Sequence, residues 1–462
     1  MKHRPQESTN GFIRQLVLIG GILLLGRVDA QSEGATMTLY KDGTALIKQP
    51  VEWTVQTGIT RVDYAVLPTG LFEDSPFLTI EGARVGYQRM NRDVFTWEKY
   101  FTDQVGSEVE LQTLDGKEEE GILVEFSPAR LVLQQRGYVK MFARNQVKWI
   151  TVAGKVDSPR YEPYLSWDLY SRNDRTVHGD LIYLTRGFDW DAVYRLILDT
   201  DTSQGELITE AFISNRDELD FSDLELQLVE GNLNRAGQPR PLSRRSADVM
   251  VMEAVSGAPA VPTAASLGDY HIYSLPERIS LSGQESVTVR LYNPSRINYI
   301  KTYVFRNSER GQSEEPLLAE YKFANNDENQ LNKPLPQGKI EIYQMTARGS
   351  IEFIGEDNIR QVPKGEWVTI TAGRSFDVIG KRKVLNYDRQ KKSEEAAIEL
   401  MVINTRAEAV SVRLEETING DWVIRNESTM YLKVDASTIH FPLSVPAEDT
   451  VRVTYTFRKA WN

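Results

Sequence analysis

The sequence predicts an all-β protein, with two β-sandwich units and a small β-barrel inserted into the first. Three observations carry the prediction. Apolar residues recur at every second position over many short segments, turn dipeptides such as Asp-Gly and Asn-Gly separate those segments, and no long stretch keeps helical spacing. At 462 residues the chain is long enough to bury more than one core.

The pattern is clearest over residues 185–232. Tyr194, Leu196 and Leu198 fall on one face of a first strand, and Leu224, Leu226 and Leu228 alternate with Glu225 and Gln227. This is the period of a half-buried strand, and it places three strands at the centre of an antiparallel sandwich. Residues 31–100 supply its N-terminal strands and 154–235 its central ones, with Asp42-Gly43 as a tight hairpin turn. The strands of residues 37–87 are expected to complete the sheet that contains Trp190. Residues 97–101 (WEKYF) read as a short helical turn.

Residues 101–153 carry five short apolar runs, VELQTL, GILVEF, ARLVLQQ, GYVKMFA and QVKWITV, with Asp115-Gly116 at the first turn. Their order and spacing resemble an Sm-like or SH3-like barrel. Such barrels often bind RNA, but Glu118-Glu119-Glu120 in this one repels phosphate, so a structural or protein-contact role is expected.

Residues 236–268 are rich in Pro, Ala, Ser and Gly without a sustained period, which predicts a flexible linker or loop. Alternation then returns across residues 269–462, in Val287/Val289/Leu291, Ile398/Leu400/Val402, Val410/Val412/Leu414 and Val451/Val453/Tyr455/Phe457. That repetition resembles an immunoglobulin-like sandwich, with Asn419-Gly420 as another hairpin turn and Gly355-Glu356-Asp357-Asn358 as an acidic turn.

The net charge of −11 argues against nucleic acid as a partner. Lys2, Arg4 and Arg14 precede the apolar run 16–26, and Val28 and Ala30 suit a peptidase site. A cleaved signal peptide over residues 1–30 is therefore expected, because eleven apolar residues fall short of the roughly 20 that span a bilayer. No transmembrane helix is expected beyond it, and the location is periplasmic or extracellular. The absence of cysteine removes disulfides, thiolate chemistry and a lipoprotein anchor, which suits a bacterial envelope.

Little of the sequence points to catalysis. There is no nucleophile elbow, phosphate loop or dinucleotide fingerprint, and His178, His271 and His440 are too far apart in sequence for a zinc motif. Asp189 and Asp191 are the catalytic candidates, since two carboxylates beside an aromatic ring can serve as acid and base at a sugar. A packed Trp190 between two solvated aspartates explains the same triplet more simply. Trp190, Glu356 and Asp357 are binding candidates. The Glu356-Asp357 segment has oxygen ligands suited to calcium but lacks the twelve-residue loop pattern, so no metal and no cofactor are expected.

The phrases Leu39-Tyr40-Lys41-Asp42-Gly43-Thr44-Ala45, Leu165-Ser166-Trp167, Gly187-Phe188-Asp189-Trp190-Asp191-Ala192-Val193-Tyr194, Ser214-Asn215 and Glu230-Gly231-Asn232 follow one another in an order that resembles a known family. Tyr273-Ser274-Leu275-Pro276, Phe353-Ile354-Gly355-Glu356-Asp357-Asn358-Ile359, Pro363-Lys364-Gly365-Glu366, Phe376-Asp377-Val378 and Gly420-Asp421-Trp422 continue it. The family is the exported domain of unknown function 4139, found also in mucoidy-inhibitor-like proteins. The resemblance implies a β-rich exported protein and no activity. Longer members add an N-terminal coiled-coil region, whereas here the apolar segment is followed almost directly by strands. The expectation is a non-enzymatic envelope component that contacts a protein or a glycan. The alternative is a carbohydrate-active or other hydrolase using acidic residues near Trp190 or Glu356.

Overall fold

The computed structural model describes residues 31–461, except 155, 157, 158, 200, 201, 232–263, 268 and 269. The expected signal peptide and most of the expected linker lie outside the described residues. The last part of that linker, Ala264–Leu267, is a short strand paired with Tyr270–Ser274.

The protein is all-β. Among the described residues the one α-helix is Trp97–Asp103, begun by Thr96, whose hydroxyl accepts from the Lys99 N–H at 3.1 Å. No helix there is long and apolar enough to cross a membrane.

The centre is a five-stranded sheet in the order Ser286–Asn298, Gln204–Asn215, Phe188–Leu198, Gly338–Met345, Ile351–Ile359. Along Phe188–Leu198 every second residue is buried, including Trp190, Tyr194, Leu196 and Leu198. Asp189, Asp191, Val193 and Arg195 face outward between them. A nine-stranded sheet packs on the inner side. Phe221 from its Asp220–Glu230 strand meets Phe188 edge-on at 5.7 Å, and Tyr273 lies 6.2 Å from Trp190. Side chains from both sheets thus form one core. Each fully buried apolar side chain in it is worth roughly 1.5–3 kcal/mol.

The strands of residues 37–87 do not join the sheet of Trp190. Thr36–Tyr40 and Thr44–Val55 form a hairpin in the facing nine-stranded sheet, between Asp220–Glu230 and Arg175–Arg186. The alternation in a strand shows which face is buried but not which neighbour supplies its hydrogen bonds. The hairpin itself forms at Asp42-Gly43, with Gly43 at φ +78°.

Pairing also departs from the antiparallel expectation in four places. Phe188–Leu198 runs parallel to Gly338–Met345, and Asp220–Glu230 runs parallel to both Gln31–Glu33 and Thr36–Tyr40. Ile300–Ser308 runs parallel to Val410–Thr417. Parallel neighbours need long connections, and these partners are far apart in the chain or, at the N-terminus, joined through other strands.

The barrel segment forms the five expected strands over residues 108–152, ordered Tyr138–Ala143, Arg130–Gln135, Glu118–Phe126, Glu108–Thr113, Val147–Val152. It has its own core of Val109, Leu111, Leu123, Leu131 and Leu133. The segment interrupts a pair of adjacent strands, since Asn91 of Arg84–Asn91 pairs with Tyr164 of Tyr164–Ser171.

Residues 300–324 and 367–460 form a second nine-stranded sheet, which curls until its edges meet. Trp422 Nε1 of the edge strand Asp421–Arg425 donates to Ala436 O at 2.9 Å, and Lys433 of the opposite edge stands over the Trp422 ring. The turn at Asn419-Gly420 therefore does not close a hairpin. Asp421–Arg425 pairs with Asp449–Ala460, and Val410–Thr417 pairs with Thr438–Val445 and Ile300–Ser308.

Candidate functional site

The outward face of the five-stranded sheet is the floor of a cleft of about 1250 Å³. Elements of the facing nine-stranded sheet overhang one end: the 40–43 hairpin turn brings Lys41, the end of Asp220–Glu230 brings Glu230, and Tyr270–Ser274 brings His271.

Gly43 is needed where the hairpin approaches the central strand. A Cβ there would come within 2.9 Å of Asp189 Oδ1, and its positive φ disfavours other residues. This close approach delivers Lys41. Its ammonium lies 4.0 Å from the centroid of the Trp190 ring, and it donates to Trp190 O and Gln337 O at 3.3 Å each and to Asp191 Oδ1 at 3.2 Å.

Glu230 is 4% exposed. Its Oε1 accepts from Gln361 Nε2 at 2.9 Å and from the Gln337 N–H at 3.4 Å. Its Oε2 is buried, receives no hydrogen bond from the described residues, and lies 3.8 Å from Lys41 Nζ. Trp190 Nε1 is likewise a buried donor with no acceptor among them.

Charges alternate across the floor. Arg290 faces Glu210, Glu210 bonds Arg195, and Arg195 reaches Glu341 at 3.3 Å. Lys339 then bridges Glu341 at 2.7 Å and Glu356 at 3.7 Å. The Lys339 ammonium, with the Tyr343 hydroxyl, holds the Glu341 carboxyl below its ordinary pKa. Gly338 lets the parallel strand carrying Lys339 approach, because a Cβ there would fall 2.1 Å from Ala192 O. Phe212 is an exposed aromatic ring in the cleft, opposite Asp191 on one side and Thr288 on the other.

The residues singled out from the sequence do not converge. Asp191 lines the cleft, but Asp189 pairs with Arg216 at 2.8 Å. Trp190 points inward and is 3% exposed, so its ring packs in the core beneath Lys41. The Gly355–Asn358 segment is part of the strand Ile351–Ile359, not a turn, because its backbone pairs with Gly338–Met345. Asp357 Oδ2 accepts from the Thr371 N–H at 2.7 Å, while Glu356 lies at the far end of the ion ladder. Among the described residues no group of three His, Asp or Glu side chains could hold a metal ion.

Lys41, Glu230 and Phe212 were not singled out as site residues. The signal for the first two was present: both lie within phrases that carry the family resemblance, and the hairpin brings those phrases to the Trp190 strand.

Fold and cleft together define an all-β, multi-sheet protein with a polar site on its central sheet. The chain matches a family described as a domain of unknown function (DUF4139) over residues 180–421, and it belongs to that family. The match covers the floor of the cleft, Glu230 and His271; Lys41 comes from outside it. No curated protein matches the chain.

Proposed function

We propose that this protein is exported to the bacterial envelope, periplasmic or extracellular, and acts there by binding a protein or a glycan through the central cleft without catalysis. The observation that carries the reading is the state of the carboxylates. Asp191 and Glu230 share the Lys41 ammonium, and Glu341 and Glu356 share Lys339. Asp189 is held by Arg216 and Asp357 by a backbone N–H. Catalytic carboxylates flank a reacting bond, whereas these are engaged by the protein's own cations and, for Asp357, by a backbone N–H. A pre-formed concave surface with its charges already paired suits recognition.

The hydrolase reading keeps one supporting observation, that Asp191 and Glu230 line the same cleft. One experiment separates the two. Purified protein is incubated with isolated cell envelopes, and both co-sedimentation and release of reducing sugar are measured. Binding that falls at least about tenfold in Phe212→Glu with Thr288→Arg, without sugar release, is expected. Binding unaffected by those changes, or sugar release abolished by Asp191→Asn, would overturn the proposal. N-terminal sequencing of the exported protein is expected to begin at Gln31.

A further inference from the structure

The ligand chemistry of the cleft can be narrowed further, on the assumption that it is a binding site. We infer that it takes an oligosaccharide that is neutral or carries amide substituents, with Phe212 as the stacking platform and Glu230 as the acceptor for a sugar hydroxyl or amide N–H.

Charge balance comes first. Among the lining residues Lys41, Arg195 and Lys339 offset Asp191, Glu230 and Glu341. These groups are tied to one another at short range, so the described residues of the cleft present no unpaired cation cluster to draw a polyanion and no carboxylate cluster to draw a polycation. A neutral ligand rich in hydroxyls loses least by entering such a surface.

Shape and hydrogen bonding point the same way. Phe212 is 43% exposed on a pleated floor whose other side chains are mostly polar, and its register partners Asp191 and Thr288 flank it on the neighbouring strands. A flat apolar ring between side chains that donate and accept matches a pyranose, which has an apolar C–H face and an equatorial rim of hydroxyls. Asn358 and Gln361 add amides that can donate and accept together.

Glu230 is the independent observation. A buried carboxylate oxygen that receives no hydrogen bond is costly, and this one belongs to a side chain that lines the cleft. Its partner oxygen is already bonded by Gln361 and Gln337, which fixes the carboxylate with Oε2 toward Lys41. A hydroxyl or an acetamido N–H supplies the missing donor; a phosphate or carboxylate ligand would bring a second acceptor to the same oxygen. An extended peptide would be recognised chiefly at a sheet edge, and this site lies on a sheet face.

The test is calorimetric titration of the full protein with chitotetraose, cellotetraose and maltotetraose. At least one is expected to bind, and Phe212→Ala and Glu230→Gln are each expected to weaken it at least about tenfold. Phe212 is exposed, so its variant keeps the fold. Thermal melting checks the Glu230 variant, whose Gln361 contact is retained. Binding that neither variant changes would place the sugar elsewhere and overturn the inference. If none of the three binds while envelope co-sedimentation still depends on the cleft, the sugar assignment fails and the binding function stands. If neither is seen, both fail.

Discussion

The Lys41 ammonium sits over the Trp190 ring, although the two residues are 149 positions apart in the chain. The contact pins the first hairpin of one sheet to the central strand of the other, and the same ammonium is the counter-charge for buried Glu230. Removing it leaves a carboxylate in the core boundary without its cation, a change that is destabilising even where the pair itself adds little. Lys41→Met, which keeps the stem, is expected to cost about 2–4 kcal/mol in urea denaturation. Adding Glu230→Gln is expected to recover much of that loss. Equal or larger destabilisation in the double variant would show that the lysine acts by packing alone.

A second buried pair lies in the curled C-terminal sheet. Arg382 and Glu416 are fully buried and bonded at 2.9–3.1 Å, and the Tyr455 hydroxyl donates to Glu416 at 2.5 Å. Burial raises the Tyr455 pKa far above its ordinary range. Arg382→Met alone is expected to cost about 3–5 kcal/mol. Arg382→Met with Glu416→Leu and Tyr455→Phe removes all three polar groups and is expected to lie within about 1–2 kcal/mol of wild type. Chemical denaturation of both variants checks the contrast.

Glu341 provides a pH test on the floor of the cleft. Its folded-state pKa is lowered, chiefly by Lys339, so its contribution to stability is present above its unfolded pKa and is lost as pH falls through the folded one. Carbon-detected NMR is expected to place its titration below that of an exposed glutamate. Wild type is expected to lose more stability than Glu341→Gln on acidification from about pH 5 to 3. Parallel stability profiles for the two proteins would contradict the assigned ion pair.

The barrel is expected to be removable. Its core is separate, and Phe95 N–H donates to Arg160 O at 2.7 Å, so the two ends of the insertion are already adjacent. Replacing residues 97–158 with a short Gly-Ser linker is expected to shift the melting of the remainder by less than about 5 °C. Unfolding of the remainder would show that the barrel supports it through the Phe95, Trp97 and Tyr161 rings, which pack together at the junction.

Local pattern was legible wherever one face of a strand meets a core. Tyr194, Leu196 and Leu198, Leu224 to Leu228, Ile398 to Val402 and Val453 to Phe457 are buried at the alternating positions that the sequence indicates. Both Asp-Gly turns close hairpins, and the five barrel strands occur in the expected order. The candidate site was less legible. Asp191 reaches the cleft, while Asp189, Glu356 and Asp357 are taken up by separate partners.

By itself, then, the sequence determined the all-β class, the burial phase of the strands whose alternation it shows, the two Asp-Gly turns and the family. These follow from side-chain period and backbone conformation, which act over a few residues. Only the tertiary structure decided that the hairpin of Thr36–Tyr40 and Thr44–Val55 joins the facing sheet, that Gly338–Met345 runs parallel to the Trp190 strand, and that Lys41 meets Glu230. Strand pairing uses backbone groups that all residues except proline carry alike. The choice of neighbour is therefore made by packing across the whole chain, and the site formed where those choices brought distant residues together.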